Sequence, residues 1–310
     1  MDVYEQAGPD ASIQKAPLEF LAKPGQTNNQ STIPVPISLL PLEILSNIFI
    51  LTALPLPCVS INSIGYKLSP LVVIPSVCTT WRRLAMNLGS LWSHVDILGG
   101  YRKADCATLS LNWTILWLER AGGAPMSFHF QNSQSSWDGD ADLYVDVDPQ
   151  LYDILLPHIS RAVSLTFSDV RQVHAQNLLN LYALRCPPGQ LQVLSVMKIT
   201  PTSSFTDRFI WPTGNLRGLT VLHLMGLGRQ VSPNLDELVS MLLNSPTLHT
   251  LRLCGSHHYM GDHDYPEIIL PNLKYVEILP ITSTTSNYRL LKALMPGNLA
   301  LHVRVKPNYK

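Results

Sequence analysis

A short apolar pattern recurs through the second half of this chain and constrains its fold more than any other feature. The pattern alternates apolar and polar residues at 162–167, 191–196, 219–224, 248–253, 273–278 and 299–305. Its equivalent central residues are Leu165, Leu194, Leu222, Leu251 and Val276, spaced by 29, 28, 29 and 25 residues. Because one such unit cannot bury its apolar face alone, we predict that successive units stack into a parallel sheet. The predicted fold class is therefore α/β.

The recurring pattern has the form L-x-x-L-x-L, which resembles the strand of a leucine-rich repeat with a period of about 20 to 29 residues. The resemblance covers about residues 126–305. It implies an irregular leucine-rich-repeat-like solenoid with a parallel sheet, assigned here to residues 101–310. Local patterns predict helices at Asp105–Arg120, Tyr152–Ile159 and Leu235–Leu243, and a further strand at Met126–Phe130.

Polar residues between the repeated leucines are predicted to face outward from the sheet. They vary in type and in sign of charge, which suits a surface that contacts another protein. The candidates for a substrate-binding face are Gln192, Thr220, His223, His249, Arg252 and Lys274. For any one of them, plain exposure to solvent is the alternative interpretation.

A strongly apolar helix is predicted near the N-terminus, at Leu42–Leu51. Its only polar residues are Glu43, Ser46 and Asn47, so apolar side chains cover nearly the whole circumference. Pro41 suits the first turn of this helix, where its missing N–H costs nothing. A region of about sixty residues hides too little of its own surface to bury so much apolar area, so part of it is expected to be covered by something else.

A second apolar helical pattern follows a polar insert at Leu56–Ser69. One face carries Val77, Cys78, Trp81, Leu84, Ala85 and Leu88, with Arg82 and Arg83 turned away. Pro75 interrupts this second helix, where a proline is costly; the F-box-like geometry tolerates the insert as a surface loop and Pro75 at a helix start.

Together these two patterns resemble an F-box. The residues that carry the resemblance are Leu40-Pro41, Glu43-Ile44-Leu45, Ile48-Phe49, Val77-Cys78, Trp81-Arg82, Leu84-Ala85 and Leu91-Trp92. Their order and spacing are most similar to the large F-box families of mushroom-forming (basidiomycete) fungi. The F-box-like helical domain is assigned to residues 34–100.

The resemblance implies that the chain is the substrate-recognition subunit of a Skp–cullin–F-box type ubiquitin ligase. The F-box would dock on the Skp-family adaptor, and the repeats would bind a target protein. The implied adaptor contacts are Leu40, Pro41, Ile44, Leu45, Ile48, Phe49, Val77, Cys78 and Trp81. Leu91 and Trp92 would pack the F-box end against the first repeat. The alternative is a leucine-rich-repeat scaffold unrelated to ubiquitination, in which the helical N-terminus caps the solenoid.

Charge and composition argue against a nucleic-acid partner. Lys plus Arg and Asp plus Glu each number 22, so the formal net charge is zero and no basic field is available to hold phosphates. Charged residues make up 14% of the chain, below the roughly 25% of an average soluble protein. Such a surface is either unusually neutral or partly hidden in complexes.

The most chemically suggestive segment in the sequence is the run from Cys254 to Asp264. Its His257, His258, Asp262 and His263 could ligate zinc, which would make the chain a metal-dependent enzyme. Their spacing matches no zinc signature, so a polar loop is favoured. The acidic run Asp138–Asp148 lacks the glutamate of a calcium loop, because position 149 is proline. We therefore predict no catalytic residues, no metal and no cofactor.

The five cysteines lie far apart, with no C-x-x-C motif, which indicates reduced thiols in an intracellular protein. Residues 1–33 are polar and aperiodic, and are predicted to form a disordered leader rather than a signal peptide. The apolar run Ile33–Pro57 contains Glu43, Asn47 and several prolines, which argue against a membrane span. The expected location is the cytoplasm, the nucleus or both.

Overall fold

The computed structural model describes nine stretches of the chain. They are residues 37–53, 70–99, 104–132, 149–199, 208–228, 230–254, 267–279, 292–296 and 302–305. The predicted leader, the insert Leu56–Ser69, the acidic run Asp138–Asp148 and the loop His257–Asp264 lie outside these residues. The chain divides into two compact units, Met1–Leu40 and Pro41–Lys310. In the first unit, the described residues form a 3-10 helix at Ile37–Leu39.

The second unit begins with three α-helices, α1 (Leu42–Ala53), α2 (Pro70–Val77) and α3 (Thr79–Asn87). The Pro41 carbonyl accepts hydrogen bonds from the backbone N–H groups of Ile44 and Leu45, so the helix begins directly after this proline. Glu43 lies in the first turn, where a negative charge favours the helix dipole. The helix predicted at Leu42–Leu51 is thus confirmed and extends to Ala53.

Pro75 does not lie at a helix start, which was the condition for a tolerable proline there. Pro75 lies inside α2, two residues before that helix ends. A proline there cannot donate a backbone hydrogen bond, and α2 ends at Val77, two residues after it. A new helix, α3, begins after Cys78, whose sulfur accepts the backbone N–H of Trp81 at 3.5 Å. The Pro75 carbonyl accepts a hydrogen bond from Arg82 Nε at 2.9 Å, which ties α3 back to α2.

An eight-stranded parallel sheet forms the centre of the second unit, so the protein is a mixed α/β structure. The strands are β1 (His94–Gly99), β2 (Met126–Asn132), β3 (Ala162–Ser168), β4 (Val193–Met197), β5 (Val221–Met225), β6 (Thr250–Cys254), β8 (Tyr275–Leu279) and β10 (His302–Val305). Their order in the sheet is β1-β2-β3-β4-β5-β6-β8-β10, and every pairing is parallel. Neighbours in the sheet follow the order of the chain, as stacked units require.

The register of the sheet confirms the equivalence that the repeated pattern predicts. Leu165, Leu194, Leu222, Leu251 and Val276 pair in one unbroken row across five strands. All five side chains are fully buried. A second buried row, two residues further along each strand, contains Phe167, Val196, Leu224, Leu253 and Ile278. These two rows form the central part of the core.

Helices connect several of the strands. They are α4 (Ala104–Ala121), α5 (Pro149–Leu155), α6 (Gln172–Arg185) and α7 (Leu235–Leu243). The helix predicted at Leu235–Leu243 has the predicted bounds, and Asn234 begins it because its side chain accepts the Glu237 N–H at 2.7 Å. The helix predicted at Tyr152–Ile159 ends at Leu155, and a 3-10 helix follows at Ile159–Arg161.

The sequence patterns did not predict three other elements. Helix α6 buries the polar residues Gln172, His174 and Gln176 beside its leucines, so it shows no clear apolar period. Strands β7 (Ile268–Leu270) and β9 (Leu294–Pro296) form a separate two-stranded parallel sheet of only three residues each.

The first strand, β1, was also not predicted, because its residues were interpreted as the end of the helical region. It pairs with β2 from His94 to Gly99, so the sheet begins ahead of the predicted domain boundary at residue 100. A 3-10 helix at Gly89–Trp92 leads into this strand. Trp92 is buried, donates its indole N–H to the Ala85 carbonyl at 2.8 Å, and lies 4.5 Å beneath the Arg120 guanidinium. Leu91 and Trp92 are both buried in one cluster with Ala85 of α3 and Phe128 of β2, so they connect the helices to the sheet.

Candidate functional site

The nine residues predicted to bind the adaptor divide into exposed and buried groups. Ile44, Ile48 and Val77 are 46%, 37% and 55% exposed. Pro41 and Cys78 are also exposed, whereas Leu40 and Trp81 are half-buried. The remaining two, Leu45 and Phe49, are buried inside the chain.

Phe49 holds the helices together in this structure, and Leu45 is buried on the same helix. The Phe49 ring lies 4.9 Å from the Trp81 ring, measured between centroids, with a tilt of 59°. Phe49 belongs to the same buried cluster as Ala85 and Trp92. A partner therefore cannot reach either Leu45 or Phe49 unless the helices separate, and we remove both from the contact surface. The physical reason for this correction is that α1 packs one face, with Leu45 and Phe49, against the rest of the chain, although its sequence is apolar on nearly all sides.

The outer sides of α1 and α2 retain a group of exposed aliphatic side chains, called here the exposed apolar set. Its members are Leu42, Ile44, Ile48, Leu51, Val73 and Val77. Ile44, Ile48 and Leu51 follow the spacing of one helix face. The hydroxyls of α1 are directed to its own backbone: Ser46 donates to the Leu42 carbonyl and Thr52 to the Ile48 carbonyl. These two hydroxyls therefore do little to interrupt the apolar surface, and the remaining polar side chains of the helix, Glu43 and Asn47, are exposed.

A row of mostly polar residues crosses the sheet on the face opposite the buried leucine rows. The register places one residue of each strand in this row, called here the polar row: Asp96, His129, Thr166, Ser195, His223, Arg252, Glu277 and Arg304. Three of these, His129, Ser195 and Glu277, are buried, and the others are partly or fully exposed.

The predicted substrate-face residues lie in two different places. His223 and Arg252 belong to the polar row. Gln192, Thr220, His249 and Lys274 instead precede β4, β5, β6 and β8, and consecutive members are joined by backbone hydrogen bonds of 2.7 to 2.9 Å. These four residues lie at the edge of the sheet where the strands begin, called here the polar edge, and strand alternation separates them from the polar row. Gln192, His249 and Lys274 are exposed there, and Thr220 is half-buried.

Charged groups at one end of the polar row compensate one another. Arg252 Nε lies 3.4 Å from a Glu277 carboxylate oxygen, and Arg304 Nε lies 3.6 Å from the other. The Tyr275 hydroxyl donates to Glu277 at 3.2 Å, and the Arg252 guanidinium lies 5.1 Å from the centre of the Tyr275 ring. This buried carboxylate is thus well satisfied, and the two arginines carry the net positive charge of the group.

His223 lies in the middle of the row, beside this charged group. Burial lowers the pKa of the His223 imidazole to about 4; the charge of Arg252 lowers it as well, and Glu277 opposes the shift. The ring is therefore neutral at neutral pH. Its Nδ1 lies 3.5 Å from Ser195 Oγ. His223 Nε2 has no hydrogen-bond partner among the described residues.

At the other end of the row, residues of β1, β2 and β3 come together in a cluster that the sequence did not indicate. His129 Nδ1 lies 2.9 Å from Asp96 Oδ1, and His94 Nε2 lies 3.3 Å from the same oxygen. His129 Nε2 lies 3.1 Å from Ser168 Oγ. Burial by itself raises the pKa of the Asp96 carboxyl, but hydrogen bonds from His129 and His94 outweigh this effect and hold that pKa well below its usual range.

The three cysteines whose side chains are described, Cys78, Cys186 and Cys254, are free thiols. Burial raises the pKa of Cys186 to about 11, and its thiol donates to the Ile159 carbonyl. This cysteine is a structural residue.

Comparison with known proteins gives no assignment: no protein-family model matches this sequence, and no curated protein matches it. Within the described ranges, the helices are all too short or too polar to cross a membrane.

Proposed function

We propose that this chain is the substrate-recognition subunit of a Skp–cullin–F-box type ubiquitin ligase. In this proposal α1 and α2 dock on the Skp-family adaptor, and the repeat-bearing part of the chain binds a target protein. The chain performs no chemistry itself. It acts by proximity, because tethering raises the concentration of the target near the ubiquitin-loaded enzyme. The assembly places the protein in the cytoplasm, the nucleus or both.

The exposed apolar set is the observation that supports adaptor binding. Exposed aliphatic groups concentrated on neighbouring helices are typical of protein interaction sites. Its six side chains are about half exposed, so burying them contributes roughly 6 kcal/mol in total. Association of two proteins costs about 4 to 15 kcal/mol in lost freedom of motion. The set therefore needs further contacts, for which Pro41, Cys78 and the half-buried Trp81 are placed on or beside the same helices.

The polar edge and the polar row support target binding by the sheet. Gln192, His249 and Lys274 are exposed in a line along the edge, and Arg252 and Arg304 project charge from the row. A target that contacts both would meet hydrogen-bonding groups on a rigid sheet. Because the arginines share one buried carboxylate, Glu277, an acidic segment of a target is the best electrostatic match to this end of the sheet.

The adaptor proposal is tested by co-purification with the double variant Ile44→Asp plus Ile48→Asp. Both side chains are exposed, so the variant keeps its fold, and recovery of the Skp-family adaptor should fall to background. Leu184→Asp is the matched control: Leu184 is 82% exposed, on α6, and should leave recovery unchanged. Circular dichroism melting verifies that all the proteins are folded. Undiminished adaptor recovery with the double variant would refute the proposal.

A second candidate is a repeat scaffold outside ubiquitination, in which the helices only cap the sheet. One observation favours it: Phe49, Ala85, Leu91 and Trp92 belong to the same buried cluster as the sheet residue Phe128. The helical region therefore closes one end of the core, as a cap does. In that case the purified chain binds no adaptor, and the Ile44→Asp plus Ile48→Asp variant behaves like the unmodified protein in every assay.

A further inference from the structure

The cluster at the β1–β2 edge of the polar row is produced by the backbone register. His94 and Asp96 are two residues apart on β1, so they lie on the same face of the sheet. Asp96 pairs directly with His129 on β2. The sheet therefore brings two imidazoles and one carboxylate to a single place without help from a flexible loop.

The separations between the possible ligand atoms are close to those of a transition-metal site. One ligand atom from each of His94, Asp96 and His129 lies within 4.8 Å of the other two. Zinc bonds to nitrogen and oxygen are about 2.0 to 2.2 Å long, so the ligands of a tetrahedral ion lie about 3.4 Å apart. The His94–Asp96 distance is 3.3 Å and the His129–Asp96 distance is 2.9 Å. An opening of about half an ångström between Asp96 and His129 would admit the ion.

Ser168 on β3 can hold the buried histidine in the required orientation. His129 Nε2 lies 3.1 Å from Ser168 Oγ, so a proton on Nε2 can be donated to that oxygen. A metal ion would replace the Nδ1 proton that donates to Asp96 in this structure, because Nδ1 must offer its lone pair to the ion. Second-layer hydrogen bonds of this kind fix the tautomer and ring orientation of metal-binding histidines.

One ligand residue of the cluster is buried, and the other two are partly exposed to solvent. The His129 side chain is 3% exposed, whereas those of His94 and Asp96 are 26% and 33% exposed. An ion held by all three would keep a position open to solvent. Two imidazoles and one carboxylate suit zinc and its neighbours better than calcium or magnesium, which prefer oxygen ligands.

We propose that His94, Asp96 and His129 form a binding site for one zinc-class transition-metal ion, with its fourth position open to solvent. This site lies on the sheet and is independent of adaptor docking on α1 and α2. It also differs from the histidine-rich segment at His257–Asp264.

The same atoms allow another chemistry, in which Ser168 is a nucleophile activated by His129 and Asp96. The distances are suitable, but acyl transfer also needs backbone donors for the developing oxyanion. The N–H directly after the serine, that of Asp169, already donates to the Met197 carbonyl at 2.9 Å. The structure therefore favours metal binding over a nucleophilic serine.

The test is a titration of the purified full chain with Co²⁺ after treatment with a chelator. Cobalt replaces zinc in such sites and gives visible d–d absorption bands. The expected result is saturation at one ion per chain and displacement of cobalt by Zn²⁺. His94→Ala and Asp96→Asn should each weaken binding by at least about 10-fold, since even second-layer changes cost 10- to 100-fold.

The control variant replaces His257, His258 and His263 with alanine and should bind cobalt like the unmodified chain. Thermal melting of His94→Ala and Asp96→Asn shows that a loss of binding is not a loss of fold. Three results would each overturn the proposal: no cobalt bands with the unmodified chain, unchanged affinity in both site variants, or loss of binding in the loop control. Covalent labelling of Ser168 by a fluorophosphonate, abolished by His129→Gln, would assign the cluster to nucleophilic chemistry instead.

Discussion

The helical region and the sheet are both rich in leucine, isoleucine and valine, but the sheet buries these side chains and the helices leave many of them exposed. In the sheet, every member of the row from Leu165 to Val276 is fully buried, because each strand covers its neighbour and the connecting segments cover the face. In α1, Leu45 and Phe49 are buried, whereas Leu42, Ile44, Ile48 and Leu51 stay exposed. The sheet completes its own core by repetition, and the helices do not.

The buried residues of the sheet and the exposed residues of the helices therefore have different roles, in folding and in the proposed partner binding. Residues of the sheet core lose their whole apolar surface on folding, so they stabilise the fold and offer nothing to a partner. The exposed apolar set of α1 and α2 contributes little to folding, so its apolar area is available for the proposed association. An equally apolar sequence can thus serve either purpose, and the neighbouring elements decide which.

The largest expected effect is in the sheet. Leu222→Ala removes a fully buried side chain from the middle of the leucine row and should lower the free energy of unfolding by about 2 to 5 kcal/mol. Val221→Ala, on the opposite face of the same strand and half-buried, is the control and should cost clearly less. Urea denaturation measures both. Equal losses in the two variants would mean that the leucine row is not the main core.

The sheet was predictable because its signal is repeated. Leu165, Leu194, Leu222, Leu251 and Val276 occur at nearly constant spacing, and the register follows from stacking. Helix α6 was not predictable, because Gln172, His174 and Gln176 are buried through tertiary contacts rather than by an apolar period. One such contact is the hydrogen bond from Gln176 Nε2 to the Ile210 carbonyl, across 34 residues of sequence.

The next largest effect concerns the polar row of the sheet, which has no counterpart in the helices. His223 has a folded-state pKa of about 4 against an ordinary value of 6.5, so the unfolded chain binds its proton first. Stability is therefore retained above pH 6.5 and is lost as the pH falls toward 4. Relative to His223→Gln, the unmodified protein should lose about 3 kcal/mol over this range.

Chemical denaturation at several pH values measures this effect. The glutamine variant is the internal control, because it retains every other titrating group. Parallel pH profiles for the two proteins would contradict the assigned burial of His223 beside Arg252.

The candidate sites were only partly predictable. The apolar excess of α1 is visible in the sequence, but which side is covered depends on how Phe49 meets Trp81. In the cluster, Asp96 lies 33 residues before His129 in the sequence, and Ser168 lies 39 residues after it. The cluster becomes visible only when β1 is recognised as a strand and aligned with β2.

The smallest expected effect is in the helices. Ile48→Ala shortens an exposed side chain and should change the free energy of unfolding by no more than about 0.5 kcal/mol. The same change should weaken adaptor binding measurably, since it removes apolar area from the proposed interface. Leu184→Ala is the matched control on α6 and should affect neither quantity. A large loss of stability in Ile48→Ala would show that this side chain belongs to the core.

Hydrogen–deuterium exchange of the full chain, with and without the purified Skp-family adaptor, tests the central claim most directly. If the exposed apolar set is a docking surface, the adaptor slows amide exchange in α1 (Leu42–Ala53) and α2 (Pro70–Val77), and leaves α6 and β5 unchanged. Unchanged exchange in α1 and α2 at saturating adaptor would contradict the claim that these helices keep their apolar surface for a partner.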